Sequence, residues 1–183
     1  MVSYADRPWV RCYDEGVPAS LEPYPSISLH ELLDQVVQEY PNNTACITSV
    51  RLPLFGRVHA SITYRELGDL SDRLAAALAD FGVKKGDRVA LNFVNSTQFI
   101  IAFFGILKAG GIVVALNPTF PPAKIAEQLN DSGAEVVITM SLFYSAIHSI
   151  RDKARIRQVI VSNIKEYFPP MGKFLFTLAR EKK

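Results

Sequence analysis

Three histidines and two cysteines are the most versatile side chains of this 183-residue chain, yet their spacing gives them little chemistry to do. A metal centre or a nucleophilic triad needs several such groups converging, with recognisable spacing where they share an element. Cys12 and Cys46 lie far apart, and His30, His59 and His148 have no neighbouring carboxylate or cysteine pattern, so each histidine reads as a surface or capping residue. No catalytic, cofactor-binding or metal-ligating residue is assigned. The other chemical resource is positive charge, and it is concentrated. Residues 1–150 carry 11 Lys/Arg against 15 Asp/Glu, a net −4, whereas 151–183 carry 9 against 3, a net +6. Arg151, Lys153, Arg155 and Arg157 fall near a helix end, where cations meet the negative end of the helix dipole. That run is either a solvated terminus or a phosphate or membrane contact. Nucleic acid is not expected as a partner, because no aromatic–basic surface motif accompanies the charge.

The elements that would position these groups centre on one stretch. From Gly105 to Pro118 the chain reads Gly-Ile-Leu-Lys-Ala-Gly-Gly-Ile-Val-Val-Ala-Leu-Asn-Pro: a helix end, a double glycine, an apolar strand and a proline stop. Gly110 and Gly111 permit a positive φ and close backbone approach at the helix exit. Residues 112–116 lack polar alternation, so both faces of that strand are expected to be buried, as in a parallel sheet covered by helices. No G-x-G-x-x-G follows a strand, which excludes a dinucleotide site.

Around it the pattern is regular. Residues 1–27 hold four prolines and read as an extended arm anchored by Trp9 and Tyr13. Ser28–Glu31 and Thr63–Glu66 are capping boxes. The first opens a helix faced by Leu29, Leu32, Leu33, Val36, Val37 and Tyr40; the second opens one faced by Leu67, Leu70, Leu74, Leu78 and Phe81 and closed by Gly82. Residues 44–50 and 57–62 read as a hairpin across 52–56. Strands at 88–93, 112–116, 135–139 and 158–162 then alternate with helices at 96–109, 122–131 and 141–154. The expected fold class is α/β, a parallel, partly mixed sheet with helices on both faces, occupying 28–168. Residues 169–183 form a basic amphipathic helix or a disordered end, with Met171, Phe174, Leu175 and Leu178 on one side and Phe176 off that stripe.

Composition agrees with a single reduced, intracellular globular domain: 49% of residues are apolar and 21% charged. The N-terminus does not read as a signal peptide, and the apolar run 99–107 is too short to cross a bilayer.

The glycine-containing stretch resembles an early core motif of the adenylate-forming superfamily, which holds AMP-forming acyl-CoA synthetases, luciferases and the adenylation domains of peptide synthetases. Ile62-Thr63-Tyr64-Arg65-Glu66-Leu67 resembles its first core motif, and Lys85-Gly86-Asp87-Arg88-Val89 the turn and strand after the next helix. Several segments resemble the long-chain fatty acyl-CoA synthetases in particular: Arg7-Pro8-Trp9 with Tyr13 and Gly16-Val17-Pro18, Asn117-Pro118 with the run from Gln128 to Ala134, and the run from Ser162 to Pro170. One departure is Thr119-Phe120-Pro121-Pro122, where many relatives carry a hydroxyl cap; proline can open a helix without one.

The resemblance implies that the chain is a truncated N-terminal subdomain of this fold. The parent would activate a long-chain fatty acid with Mg-ATP to acyl-AMP and transfer it to CoA. The superfamily's Ser/Thr/Gly-rich phosphate loop and its C-terminal catalytic lysine have no counterpart here, so the fragment alone is expected to be inactive and to hold no cofactor. Its partners would be the rest of the parent enzyme, which uses fatty acid, ATP and CoA, and a second copy of the isolated fragment through exposed apolar surface. Two other readings stay open: a stand-alone non-catalytic module that binds membrane or a partner through its basic C-terminus, and a fragment of a sibling ligase for aryl or short-chain acids. Lys173, Phe174, Leu175, Leu178, Arg180, Lys182 and Lys183 are the residues expected at a membrane or interdomain contact. The expected location is cytoplasmic, at most peripheral to the inner face of the membrane.

Overall fold

The computed structural model describes residues 4–52 and 56–180. Both capping boxes form. The Glu31 carboxylate accepts from the Ser28 amide at 2.6 Å while Ser28 Oγ accepts from the Glu31 amide at 3.3 Å, which starts α1 (Leu29–Glu39). Thr63 and Glu66 repeat the exchange at 2.7 and 3.2 Å to start α2 (Tyr64–Asp80). Between these helices β1 (Thr44–Leu52) pairs antiparallel with β2 (Gly56–Thr63) as a separate two-stranded ribbon; residues 53–55 of the expected turn lie outside the described residues.

The chain then alternates through β3 (Arg88–Asn92), α3 (Thr97–Lys108), β4 (Ile112–Leu116), α4 (Pro122–Ser132), β5 (Val136–Met140), α5 (Tyr144–Ser149) and β6 (Gln158–Ser162). The four strands make a parallel sheet in the order β4-β3-β5-β6. Alternation along each strand divides the core. Val89, Leu91, Val136 and Ile138 meet α2 and α3 on one face, and Ala90 and Val137 meet α4 and α5 on the other. α4 opens on Pro121 with no side-chain cap, as the proline pair predicts.

The two glycines at the α3 exit have different reasons. Gly110 has φ 78°, and its carbonyl accepts from the Gly86 amide at 2.8 Å. Gly111 is pressed against its neighbours: a Cβ there would stand 2.9 Å from Ile106 Cγ2 and 3.3 Å from the Asp87 carbonyl oxygen. Lys108, one turn earlier, donates to Asp72 of α2 at 2.7 Å and sits 2.9 Å from Asp34 of α1, its side chain 8% exposed. Burial alone would lower its pKa, but the hydrogen bonds to Asp72 and Asp34 outweigh that and raise it above the usual lysine value. The motif lysine is therefore a staple of three helices.

Three expectations need correction. β4 lies at the sheet edge among the described residues, so Ile112 is 48% exposed instead of buried on both faces; strand order, which composition does not encode, decides this. The helix expected over 141–154 is a 3₁₀ turn, the short α5 and a series of turns. The chain leaves the helix at Ile150 because Ile150, Ala154 and Ile156 all enter the core under α4, and Asn130 Nδ2 fastens the turn by donating to the Lys153 carbonyl at 2.9 Å. In the arm, Trp9 packs on Tyr4 with centroids 5.4 Å apart, and both Trp9 and Tyr13 remain exposed rather than anchored.

Candidate functional site

β3 leads outward to β4 and β5 leads outward to β6 on the opposite side, so the topology diverges between β3 and β5. Open parallel sheets bind ligands beyond the carboxyl ends of their strands at such a divide. Asn92 and Thr139 mark it. Asn92 Nδ2 donates to Thr139 Oγ1 at 3.1 Å, Thr139 Oγ1 donates to the Asn92 carbonyl at 3.2 Å, and both residues are fully buried. Asn92 Oδ1 is a buried acceptor without a donor among the described residues.

Past β3 the chain turns into α3 through Asn95 and Ser96, whose Oγ accepts from the Phe99 amide at 3.3 Å. This turn borders a cleft of about 490 Å³. Its far wall is β1, with Cys46, Thr48 and Ser49; its floor and end are Phe99, Ile100, Ile164 and Phe168. A smaller lobe of about 170 Å³, reaching Tyr167 and Lys173, shares Thr48, Thr97 and Phe168 with it. The Thr48 and Thr97 hydroxyls meet at 2.9 Å where the lobes join. Gln98 Nε2 donates to the Asn163 carbonyl at 3.0 Å and ties the helix start to the segment after β6.

Two titratable groups beside the cleft are shifted toward their neutral forms. Burial raises the Cys46 thiol above its ordinary value, which keeps it a weak nucleophile at neutral pH. Burial, and then the charge of Glu166, raise the Tyr167 hydroxyl likewise. An apolar groove of about 360 Å³ continues past Cys46 and Ile100 to Leu29, Leu32 and Phe104, so α1 exposes part of the face that its sequence marks as apolar. His30 sits in the α1 cap, 3.3 Å from Ser28 Oγ, while His59 and His148 are exposed.

Of the residues singled out in the sequence, Lys173, Phe174, Leu175, Leu178 and Arg180 lie on α6 (Pro170–Arg180). Lys173 lines the small lobe, Phe174 and Leu178 are exposed, and Leu175 is half-buried. Arg180 ends the helix, and Lys182 and Lys183 lie outside the described residues. Phe176, off the apolar stripe, packs edge-on at 5.7 Å against Phe168, in the turn that leads into the helix. The cleft residues Thr48, Thr97 and Phe168 were not found by sequence reasoning, since they come from three distant segments. The one local signal was Asn95-Ser96-Thr97, a helix cap placed directly after a buried strand.

A parallel sheet clad by helices on both faces, with a cleft past its strand ends, is an open α/β architecture. Residues 33–174 match the family of AMP-binding enzymes, and the chain belongs to that family. It is 36% identical over 157 residues to a long-chain-fatty-acid–CoA ligase of Escherichia coli O6:H1, covering 85% of this chain and 26% of that protein. In structure it resembles an anthranilate CoA ligase solved with anthranoyl-AMP, with a TM-score of 0.63 and 27% identity over 73% of this chain and 24% of the other. The fold alone is shared with a long-chain-fatty-acid-CoA ligase of Archaeoglobus fulgidus, with a TM-score of 0.71 and 24% identity over 85% of this chain and 32% of that one. The chain thus spans about a quarter to a third of the length of these proteins.

Proposed function

We propose that this chain is the N-terminal part of a ligase that activates a long-chain fatty acid with ATP to acyl-AMP and passes the acyl group to CoA. The observation that carries the reading is the 36% identity to a long-chain-fatty-acid–CoA ligase across 85% of the chain. The motif residues contribute through the framework they build: Lys108 joins three helices, and Gly110 and Gly111 close α3 onto β4.

The cleft residues by themselves do not make a triphosphate site. The cleft offers hydroxyls, amides and apolar walls, with Lys173 and Glu166 at one end. A triphosphate needs a cradle of amides and cations at its β- and γ-phosphates. This part therefore supplies a wall and a scaffold, the groove along Leu29, Leu32 and Phe104 receives the remainder of the enzyme, and the 183 residues alone are inactive. In isolation the same groove favours self-association, which light scattering over a concentration series reads directly.

Acid-dependent exchange between ATP and pyrophosphate tests the reading, measured on the longer polypeptide and on residues 1–183 with fatty acids of graded length and with benzoate and anthranilate. Exchange by the longer polypeptide that rises with acyl length is expected. Exchange with the aryl acids alone would assign the chain to a sibling ligase, and exchange by residues 1–183 alone would refute the scaffold role.

A further inference from the structure

α5 and β6 border a second groove, of about 340 Å³, that the ligase reading does not use. Its buried residue Ile147 belongs to the core face opposite that of Phe99 and Ile164, so the groove and the cleft lie on opposite sides of the parallel sheet. Among the described residues β6 is an edge strand, and no further strand closes the groove. α5 runs back along β6, as a crossover helix between parallel strands must. Tyr144 at its start therefore lies toward Val161, and Arg151 past its end lies toward Arg157 and Gln158.

The two ends differ in chemistry. Tyr144 and Val161, 41% and 46% exposed, flank Ile147 and make one end apolar. The other end gathers His148, Arg151 and Arg157, and no Asp or Glu is in the lining. Arg157 is held in advance: its Nη1 donates to the Phe81 carbonyl at 2.7 Å, and its Nε stands 3.7 Å from Glu135, outside the groove. Arg151 is uncommitted, its guanidinium having no hydrogen bond or ion pair among the described residues. Carbonyls at the end of α5 would repel an anion, but those of Ile147, His148 and Ile150 accept from the amides of Ile150, Arg151 and Lys153.

Two guanidinium groups and an imidazole supply more donors than the two oxygens of a carboxylate need, and suit the three oxygens and higher charge of a phosphate. Small-molecule pockets measure about 300–1,000 Å³, so a bare phosphate would leave most of this groove empty. We propose that the groove binds a small phosphate monoester with an apolar or aromatic body. Its phosphate meets Arg151 beside His148 and Arg157, and its body lies on Ile147 between Tyr144 and Val161. The proposal does not rest on the ligase reading.

Titration of the 183-residue chain with phenyl phosphate, phenol or inorganic phosphate at constant ionic strength, followed by amide shifts in nitrogen-15 NMR, tests it. Phenyl phosphate should move the amides of residues 147–151 and 157–161 together. Phenol and inorganic phosphate, each carrying one part of the ligand, should bind roughly fivefold more weakly or less. Arg151→Gln should weaken phenyl phosphate by about fivefold or more, the worth of one charge-assisted hydrogen bond at a solvated site, and Arg151→Lys should lose less. Arg151 is exposed, so both variants should keep the parent's melting temperature. No shifts at the groove, equal shifts around Lys165 and Lys173, or affinity unchanged in Arg151→Gln would overturn the proposal. Phosphorus-31 line broadening of phenyl phosphate extends the test to the longer polypeptide: broadening that Arg151→Gln leaves unchanged there would mean that the added residues cover the groove, and would overturn it too. Acid-dependent pyrophosphate exchange needs no ligand at this groove, so failure here is separable from failure of the ligase reading.

Discussion

Replacing Gly111 by alanine separates packing from backbone conformation at the α3–β4 turn. Gly111 has no positive φ, so alanine carries no conformational penalty and even gains about 0.5 kcal/mol by restricting the unfolded chain. Its methyl group, however, would stand 2.9 Å from Ile106 Cγ2, 3.2 Å from the Ile106 carbonyl oxygen and 3.3 Å from that of Asp87. None of these can yield cheaply. Ile106 is fully buried, its carbonyl accepts from the Gly111 amide at 2.9 Å, and the Asp87 carbonyl accepts from the Ile112 amide at 2.8 Å. Overpacking of this kind costs about 1–3 kcal/mol, and loosening one hydrogen bond adds about 1, so the net loss should be roughly 2–3 kcal/mol. For a domain of this size that lowers the melting temperature by about 5–10 °C. Gly133→Ala is the control: φ is 70° and no atom lies within 4 Å of the added carbon, leaving only the left-handed backbone cost of about 1 kcal/mol. Thermal unfolding by circular dichroism ranks the two. A Gly111→Ala variant as stable as Gly133→Ala would refute the claim that this glycine exists for close approach.

Lys108→Met keeps the aliphatic stem but removes the charge between Asp34 and Asp72, and should cost about 1–2 kcal/mol, between the values for exposed and buried pairs. Because the folded-state pKa of Lys108 is raised, its contribution is complete below about pH 10.5 and lost as pH climbs through the folded value. Denaturant titrations at pH 7 and above pH 10.5 should therefore show the gap between Lys108→Met and the parent closing. Glu31 and Glu66 have pKa values lowered by hydrogen bonds from the Ser28 and Thr63 backbone amides, and then from the hydroxyls. Their stabilisation is present above the unfolded carboxylate value of about 4.3 and fades as pH falls through the folded values, so a Glu31→Gln, Glu66→Gln variant should show a flatter loss of melting temperature on acidification. Thr139→Val strands the buried Asn92 amide and should cost about 2 kcal/mol, while adding Asn92→Leu should recover most of it; a double variant worse than the single would show that the pair stabilises the sheet divide on its own account.

Local chemistry was legible wherever one segment contains its own partners. Ser28 finds Glu31 and Thr63 finds Glu66 three residues on, and Gly110 meets its turn within the α3 exit, so caps and turns appeared where the residue types put them. The alternation of strands and helices was legible for the same reason, because period two and period 3.6 are written in consecutive residues. Strand order is written between segments. Among the described residues β5 inserts beside β3 and leaves β4 at the edge, and nothing within Ile112–Leu116 distinguishes a central apolar strand from an edge strand.

The cleft illustrates the same limit at the level of function. Thr48 and Thr97 meet at 2.9 Å only because the β1–β2 ribbon is held over the start of α3, by Leu33, Ile62, Leu67 and Ile101 packing together. None of these four residues carries chemistry, yet their packing sets which hydroxyls face one another. On α6 the sequence placed Met171, Phe174, Leu175 and Leu178 on one side, for a membrane or interdomain contact, and Phe176 off that stripe; Phe176 and Gly172 lie against Phe168, just before the helix. A helical wheel weights every apolar residue alike. A small residue and a ring fold back on the aromatic corner that leads into the helix, while Met171, Phe174 and Leu178 stay exposed.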